Sequence, residues 1–212
     1  MQSFLVANPK GGSGKTTLAT NLAGYLARSG RRVMLGDIDR IQSARQWLQL
    51  RPAAAPKIRN WDIDPAQPDK PARPPRDTTH AVLDSPAGLH GKKLSQVLRQ
   101  VDRVLVPLAP SIFDIMATRD FLDALLDEKA VRRERLSVAI VGMRVDLRTR
   151  AAGELERFLD RYRLPVLSYL RDTQLYVQAA AHGLTLWDLP LGRVERDLEQ
   201  WRPIVDWVES AA

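Results

Sequence analysis

Residues 10–17 read Lys10-Gly11-Gly12-Ser13-Gly14-Lys15-Thr16-Thr17 and follow directly on the apolar run Phe4-Leu5-Val6-Ala7. The types and spacing are those of a phosphate-binding loop placed between a strand and a helix. Glycines let backbone N–H groups close around phosphate oxygens, and the helix that follows points its positive dipole end at them. In the G-x-x-x-x-G-K-[ST] spacing the lysine, Lys15, reaches the terminal phosphates and the hydroxyl of Thr16 ligates Mg²⁺. One position departs from the plain motif: the first motif glycine is replaced by Pro9. The loop is therefore a variant with a second lysine, Lys10, at its start.

Other chemistry-bearing residues lie downstream. Asp37-Ile38-Asp39 ends a second apolar run, and alternation along a strand puts both carboxylates on one side with Ile38 opposite. Ala81-Val82-Leu83-Asp84 is an apolar strand closing on a carboxylate, followed by Ser85-Pro86-Ala87-Gly88. Downstream of a phosphate loop this fits an element whose aspartate holds Mg²⁺ directly or through water. The small Ala87 and Gly88 suit a backbone that moves when a γ-phosphate is lost. His80, His90 and His182 share no ligand spacing, so no metal site is expected on them.

Those residues need a frame. Strands are expected at Ser3–Asn8, Val33–Ile38, Lys57–Ile63, His80–Asp84, Arg103–Leu108, Leu136–Gly142 and Val166–Leu170. Between them come a helix after the loop marked by Leu18, Leu22 and Leu26 and ended by Gly30, then helices over Ser43–Leu50, Lys92–Val101, a stretch following Asp114, Arg150–Arg163, Leu175–His182 and Glu195–Glu209. Strands alternating with helices make a mostly parallel, twisted sheet flanked by helices on both faces, an α/β single-domain P-loop NTPase spanning 1–212. No internal repeat and no second domain is visible. Residues 65–76, PAQPDKPARPPR, are too rich in proline for a ladder or a helix interior and are expected as an extended surface loop, either a tolerated insertion or a partner contact.

The variant loop, Asp37–Asp39, Ala81–Gly88 and Val106-Pro107-Leu108-Ala109-Pro110-Ser111 with Asp114 together resemble the ParA/MinD family of deviant Walker A ATPases, most closely the short plasmid-partition ParA type. The likeness covers most of the chain and is weak near residues 50–78. It implies ATP with Mg²⁺, an ATP-dependent sandwich homodimer in which Lys10 reaches the partner's phosphates, and slow hydrolysis to ADP and phosphate stimulated by a cargo-bound adaptor protein. Thr16, Asp37 and Asp84 are expected at the metal, with Asp37 organising its shell. Asp39 positions or activates the attacking water. Lys10, Gly11, Gly12, Ser13, Gly14, Lys15, Thr16 and Thr17 hold nucleotide, and Arg144 lies near the adenine, where it can stack on the base. The Val106–Ser111 segment is expected to be structural and near the dimer face. With nine residues before Lys10, no N-terminal DNA-binding extension is expected. Arg40 and Ile41 stand where the family has Pro-Gln, which leaves open whether hydrolysis is slower, differently triggered, or served by a basic contact.

The bulk numbers bound the alternatives. At 212 residues, with 44% hydrophobic and 27% charged residues, the chain can bury a sizeable core. The absence of cysteine excludes disulfides and thiolate-held iron–sulfur clusters. No secretory signal and no membrane span are visible, so the expected setting is cytoplasmic and nucleoid-associated, with no membrane partner. A net charge of +7 suits a polyanion and equally suits a solvated surface. The family resemblance points to non-specific DNA, with Arg148, Arg150, Arg171, Arg193, Arg196 and Arg202 as candidate contacts. Two other functions stand beside DNA or cargo positioning: a MinD-like membrane-cycling ATPase, disfavoured by the acidic residues of Glu195–Ala212, and a small-molecule ATP-dependent ligase, for which no acceptor motif is visible.

Overall fold

The computed structural model describes residues 1–64, 66–67, 74–133 and 135–210. Its strands are β1 (Gln2–Val6), β2 (Val33–Asp37), β3 (Ile58–Trp61), β4 (His80–Asp84), β5 (Arg103–Leu108), β6 (Ser137–Met143) and β7 (Val166–Leu170). Its helices are α1 (Lys15–Arg28), α2 (Ser43–Leu50), α3 (Gly91–Leu98), α4 (Ile112–Asp127), α5 (Lys129–Arg132), α6 (Arg150–Leu159), α7 (Gln174–Ala181) and α8 (Leu191–Glu209), with a 3-10 turn at Leu186–Asp188. The strands form one sheet in the order β3-β2-β4-β1-β5-β6-β7, and every pairing is parallel. All carboxyl ends therefore lie on one edge, which is where ligands sit in such sheets.

Each face of the sheet has its own core. Phe4 and Val6 of β1 pack with Leu18 and Leu22 of α1 and with Trp201, Ile204 and Val208 of α8. Leu5 and Ala7 face the other way, toward Leu94 of α3, Leu122 of α4 and Leu155 of α6. This period-2 alternation between two buried faces is why the strands read as nearly continuous apolar runs. The apolar stripe of α8 is consumed by this packing, so the terminal segment is a helix on the core. Among the described residues no helix is long and apolar enough to cross a membrane.

Several boundaries move for physical reasons. α8 begins a turn before Glu195, directly after Pro190, a residue that cannot donate a backbone N–H but tolerates a helix start. α4 begins at Ile112, not after Asp114, because Ser111 Oγ accepts the Asp114 amide at 3.1 Å and caps the first turn. α6 stops at Leu159, short of Arg163, which adopts a left-handed φ of 51°. α1 ends as expected, with Gly30 at φ 78° and its amide on Ala27 O. The short α5 and the 3-10 turn carry no sequence signal strong enough to foresee. The 3-10 turn is fixed from a distance, by the buried Arg51–Asp188 ion pair at 3.0 Å and by Thr185 Oγ1 donating to Asp188. Most of the proline-rich segment 65–76 lies outside the described residues; Ala66, Gln67, Pro75 and Arg76 are exposed.

Candidate functional site

The loop between β1 and α1 wraps the carboxyl edge at the centre of the sheet. Gly12 and Gly14 hold φ of 75° and 95°, a region that L side chains rarely adopt. At Gly14 a β-carbon would also stand 2.8 Å from Met143 Cε. With these glycines the backbone turns tightly and α1 starts at Lys15, its first-turn amides aimed back into the loop. Lys15 is buried, and its ammonium donates to Lys10 O at 2.8 Å. Burial lowers its pKa, while Asp84 and Asp39 pull the other way. Ser13 is fully buried below it.

Register brings the carboxylates together. Asp84 at the end of β4 lies beside Val6 of β1 and Asp37 of β2. Thr16 Oγ1 donates to Asp84 Oδ2 at 2.6 Å, whereas the buried Oδ1 has no hydrogen-bond partner. Burial pushes the Asp84 carboxyl up to about 7, with the Thr16 hydrogen bond opposing and Asp37 adding to the rise.

Asp37 uses both oxygens on backbone: Oδ1 accepts the Asp39 amide at 2.9 Å and Oδ2 the Ala44 amide at 2.8 Å. It thereby caps α2, whose own preceding residue, Gln42, supplies no side-chain cap. Asp39 lies at the cleft beyond, and its Oδ1 takes the Ile41 amide at 3.0 Å. Arg40 is exposed, and the turn closes without proline through Gln42 N to Asp39 O at 3.2 Å.

Lys10 stands at the loop's outer rim. Its amide is held by Asn8 Oδ1 at 2.8 Å and its ammonium by Asp114 Oδ2 at 2.6 Å. Asp114 also takes the Ser111 hydroxyl. Asn8 in turn donates to Pro107 O and Thr118 Oγ1, tying the loop's start to β5 and α4. The Val106–Ser111 segment with Asp114 thus does more than support the fold, because it grips the loop's first lysine. The pairing spans 104 residues and no motif announces it.

A cleft of about 550 Å³ opens over the loop, lined by Gly12, Lys15, Thr16, Thr17, Asp39 and Ala87. Its far wall is Arg144 with Arg171–Thr173 of the β7–α7 turn and Tyr176 and Val177 of α7. This last group was not foreseen. It carries no motif, and only the parallel order of β6 and β7 brings it to the loop. Arg144 is exposed, has a left-handed φ of 56° and donates to Gly12 O at 2.8 Å. The Ser85–Gly88 segment is tied to the loop by Gly88 N to Pro9 O at 2.9 Å.

A glycine-built phosphate loop at the centre of a parallel sheet, with a lysine, a threonine and a buried aspartate converging on it, defines a P-loop nucleotide-binding protein. The sequence pattern of the CobQ/CobB/MinD/ParA nucleotide binding domain matches residues 4–186, and the chain belongs to that family. It is 29% identical over 192 residues to maintenance of carboxysome distribution protein A of Halothiobacillus neapolitanus, covering 88% of this chain and 87% of that protein. The fold is shared with the ATP complex of a Cyanothece McdA variant (TM-score 0.72, 16% identity, 100% of this chain and 98% of that one). It is also shared with the septum site-determining protein MinD of Pyrococcus horikoshii in complex with Mg-ADP (TM-score 0.70, 15% identity, 99% and 96%).

Proposed function

We propose that residues 1–212 act as one ParA-like ATPase domain that forms an ATP-dependent homodimer, binds DNA without sequence preference and hydrolyses ATP to position DNA or another large cargo. The observation that carries this reading is Lys10. Its ammonium is not directed at its own phosphate loop's interior, where Lys15 already stands; it sits half-exposed at the rim on Asp114. A cation so placed is free to serve a second chain's nucleotide once it leaves Asp114. The carboxysome-distribution relative supports cargo positioning over metabolite ligation, and the ATP and Mg-ADP complexes of the structural neighbours support the nucleotide.

The residues present fit Mg²⁺. Asp84 offers an unpartnered buried oxygen beside the Thr16 hydroxyl, and no group of three His, Cys, Asp or Glu forms a metal cluster among the described residues. One carboxylate and one hydroxyl, completed by water and phosphate oxygens, is the donor set magnesium accepts. Thr16 and Asp84 would hold the ion, with Asp37 behind them organising the shell through the amides it fixes. The ion would neutralise phosphate charge.

Phosphoryl transfer needs alignment and charge neutralisation more than covalent chemistry. The amides of Gly11, Gly12, Ser13, Gly14 and Thr17 cradle the phosphates. Lys15, stripped of water, exchanges Lys10 O for the terminal phosphates. Asp39 holds the attacking water, whose oxygen bonds the γ-phosphorus as the bond to the β-phosphate oxygen breaks and that oxygen leaves with ADP; one of the water's protons passes through Asp39 toward solvent and the other stays on the released phosphate. Arg144 closes the nucleoside end of the cleft. Lys10 of each chain contacts the other's triphosphate, so hydrolysis removes the bridge. A cargo-bound adaptor sets the rate, and the working place is the cytoplasm on the nucleoid, without membrane.

The test is phosphate release with Mg-ATP alone, with random-sequence duplex, and for Asp39→Ala. Slow turnover without any metabolite, lost in Asp39→Ala, is expected. Turnover that starts only when a small carboxylic or amine acceptor is added would make the protein a ligase.

A further inference from the structure

The turn between β2 and α2 carries a cation with no task in the fold. Asp37 Oδ1 takes the Asp39 amide at 2.9 Å, Asp39 Oδ1 takes the Ile41 amide at 3.0 Å, and Gln42 N reaches Asp39 O at 3.2 Å. From the other side Gln46 Nε2 donates to Ile41 O at 2.7 Å, and Gln42 enters α2 with a left-handed φ of 53°. The backbone of residues 39–42 is therefore pinned at both ends. Asp39 and Ile41 both line the nucleotide cleft, and Arg40 stands between them at the tip of the turn.

Arg40 differs from the other cations around the cleft in having nothing to hold. Lys10 sits on Asp114, Lys15 on Lys10 O, Arg144 on Gly12 O and Arg171 on Asp197. Arg45, in the first turn of α2, donates to Gln42 Oε1 at 3.2 Å and lies 3.7 Å from Asp62. Arg40 is exposed and, among the described residues, has no hydrogen-bond or ion-pair partner. Its side chain is the free part of a fixed turn. Neighbouring Cα atoms are about 3.8 Å apart, and an arginine side chain is longer than that, so the guanidinium can fold back over Asp39.

The charges of the site give that movement a purpose. Asp37 and Asp84 lie side by side in the sheet and Asp39 lines the cleft beyond them, so three carboxylates gather where a γ-phosphate would lie. Asp84 and Asp39 both act on the Lys15 ammonium, and so compete with phosphate for that lysine. A permanently charged, planar donor beside Asp39 offsets the carboxylates and meets the charge that spreads over the γ-phosphate oxygens during transfer.

We infer that Arg40 is a catalytic residue whose guanidinium contacts the γ-phosphate held in the same chain and stabilises the transition state as the water on Asp39 attacks. The inference rests on the proposed ATP hydrolysis and adds a residue to it. Arg40 supports the unstimulated turnover, on which an adaptor then acts.

The test is phosphate release from Mg-ATP by the full chain in single-turnover assays, without adaptor or DNA. Arg40→Ala is expected to slow the chemical step about 100-fold, and Arg40→Lys to slow it less. Calorimetry with a non-hydrolysable ATP analogue is expected to give wild-type affinity for both variants, which also checks that they fold. Mixing Arg40→Ala with Asp39→Ala should restore nothing, because each chain then lacks a group of its own site. If Arg40→Ala releases phosphate at the wild-type rate or faster, the inference falls while the ATPase reading stands. If wild type releases no phosphate, both fall. Restored turnover in the mixture would mean that Arg40 serves the other chain's nucleotide, and the inference is overturned. A variant that keeps wild-type turnover but binds random-sequence duplex less tightly would place the arginine on DNA and overturn it as well.

Discussion

The Lys10 ammonium and the Asp114 carboxylate meet at 2.6 Å across 104 residues of chain. Asp114 is nearly buried and also takes the Ser111 hydroxyl, so the pair is well ordered on one side and half-open on the other. A charge-assisted hydrogen bond of this kind is worth roughly 1.5–3 kcal/mol. In the proposed dimer Lys10 must leave it. Asp114→Asn should therefore release the lysine and lower the analogue concentration for half-maximal dimerisation by about tenfold. Light scattering across an analogue titration reads this directly. Weaker dimerisation in the variant would mean that Asp114 serves the assembled state instead.

Gly14 offers a test of the loop. Alanine there faces two costs: a left-handed φ of 95°, unfavourable by about 1–2 kcal/mol for an L residue, and a contact of 2.8 Å with Met143 Cε. Gly14→Ala is expected to cut ATP affinity by at least about tenfold in calorimetry. Adding Met143→Ala should recover only part of it, because the backbone strain remains. Full recovery would show that the steric clash alone matters.

The phosphate loop was legible because its chemistry is local. Glycines, a lysine and a threonine within eight residues must be contiguous to cradle one phosphate chain. Asp84 was legible for a related reason, since an apolar run closing on a carboxylate fixes its place at a strand end. The parallel sheet followed from strands alternating with helices: the strands expected at His80–Asp84, Arg103–Leu108 and Val166–Leu170 have those bounds, and the other four move by no more than two residues at either end. What stayed hidden is tertiary. Lys10 and Asp114 meet only because β1 and β5 are neighbours. Arg171–Thr173, Tyr176 and Val177 reach the cleft only because β7 continues the sheet beyond β6. Asp37 could be placed at the strand end, yet its bonds to the Asp39 and Ala44 amides depend on a turn that Arg40 and Ile41 build without proline.

His80 supplies a pH signature of the fold, away from the nucleotide. It is 8% exposed and stacks on Phe4 at 6.4 Å. Burial first, then Arg31, lowers its pKa below the ordinary 6.5. The unfolded chain then binds a proton that the fold refuses, so stability present above pH 6.5 is lost as pH falls below it. Between pH 7.5 and 5.5, urea denaturation should show wild type losing more stability than His80→Gln. Equal losses would mean that the ring is not buried as a neutral group.

Everything turns on whether nucleotide joins two chains through Lys10. Light scattering with Mg²⁺ and a non-hydrolysable ATP analogue should show wild type moving from 23.8 kDa to twice that mass, and Lys10→Ala staying at 23.8 kDa while still binding the analogue. A wild-type protein that remains at 23.8 kDa when saturated, or a Lys10→Ala variant that doubles its mass just as readily, would contradict the account.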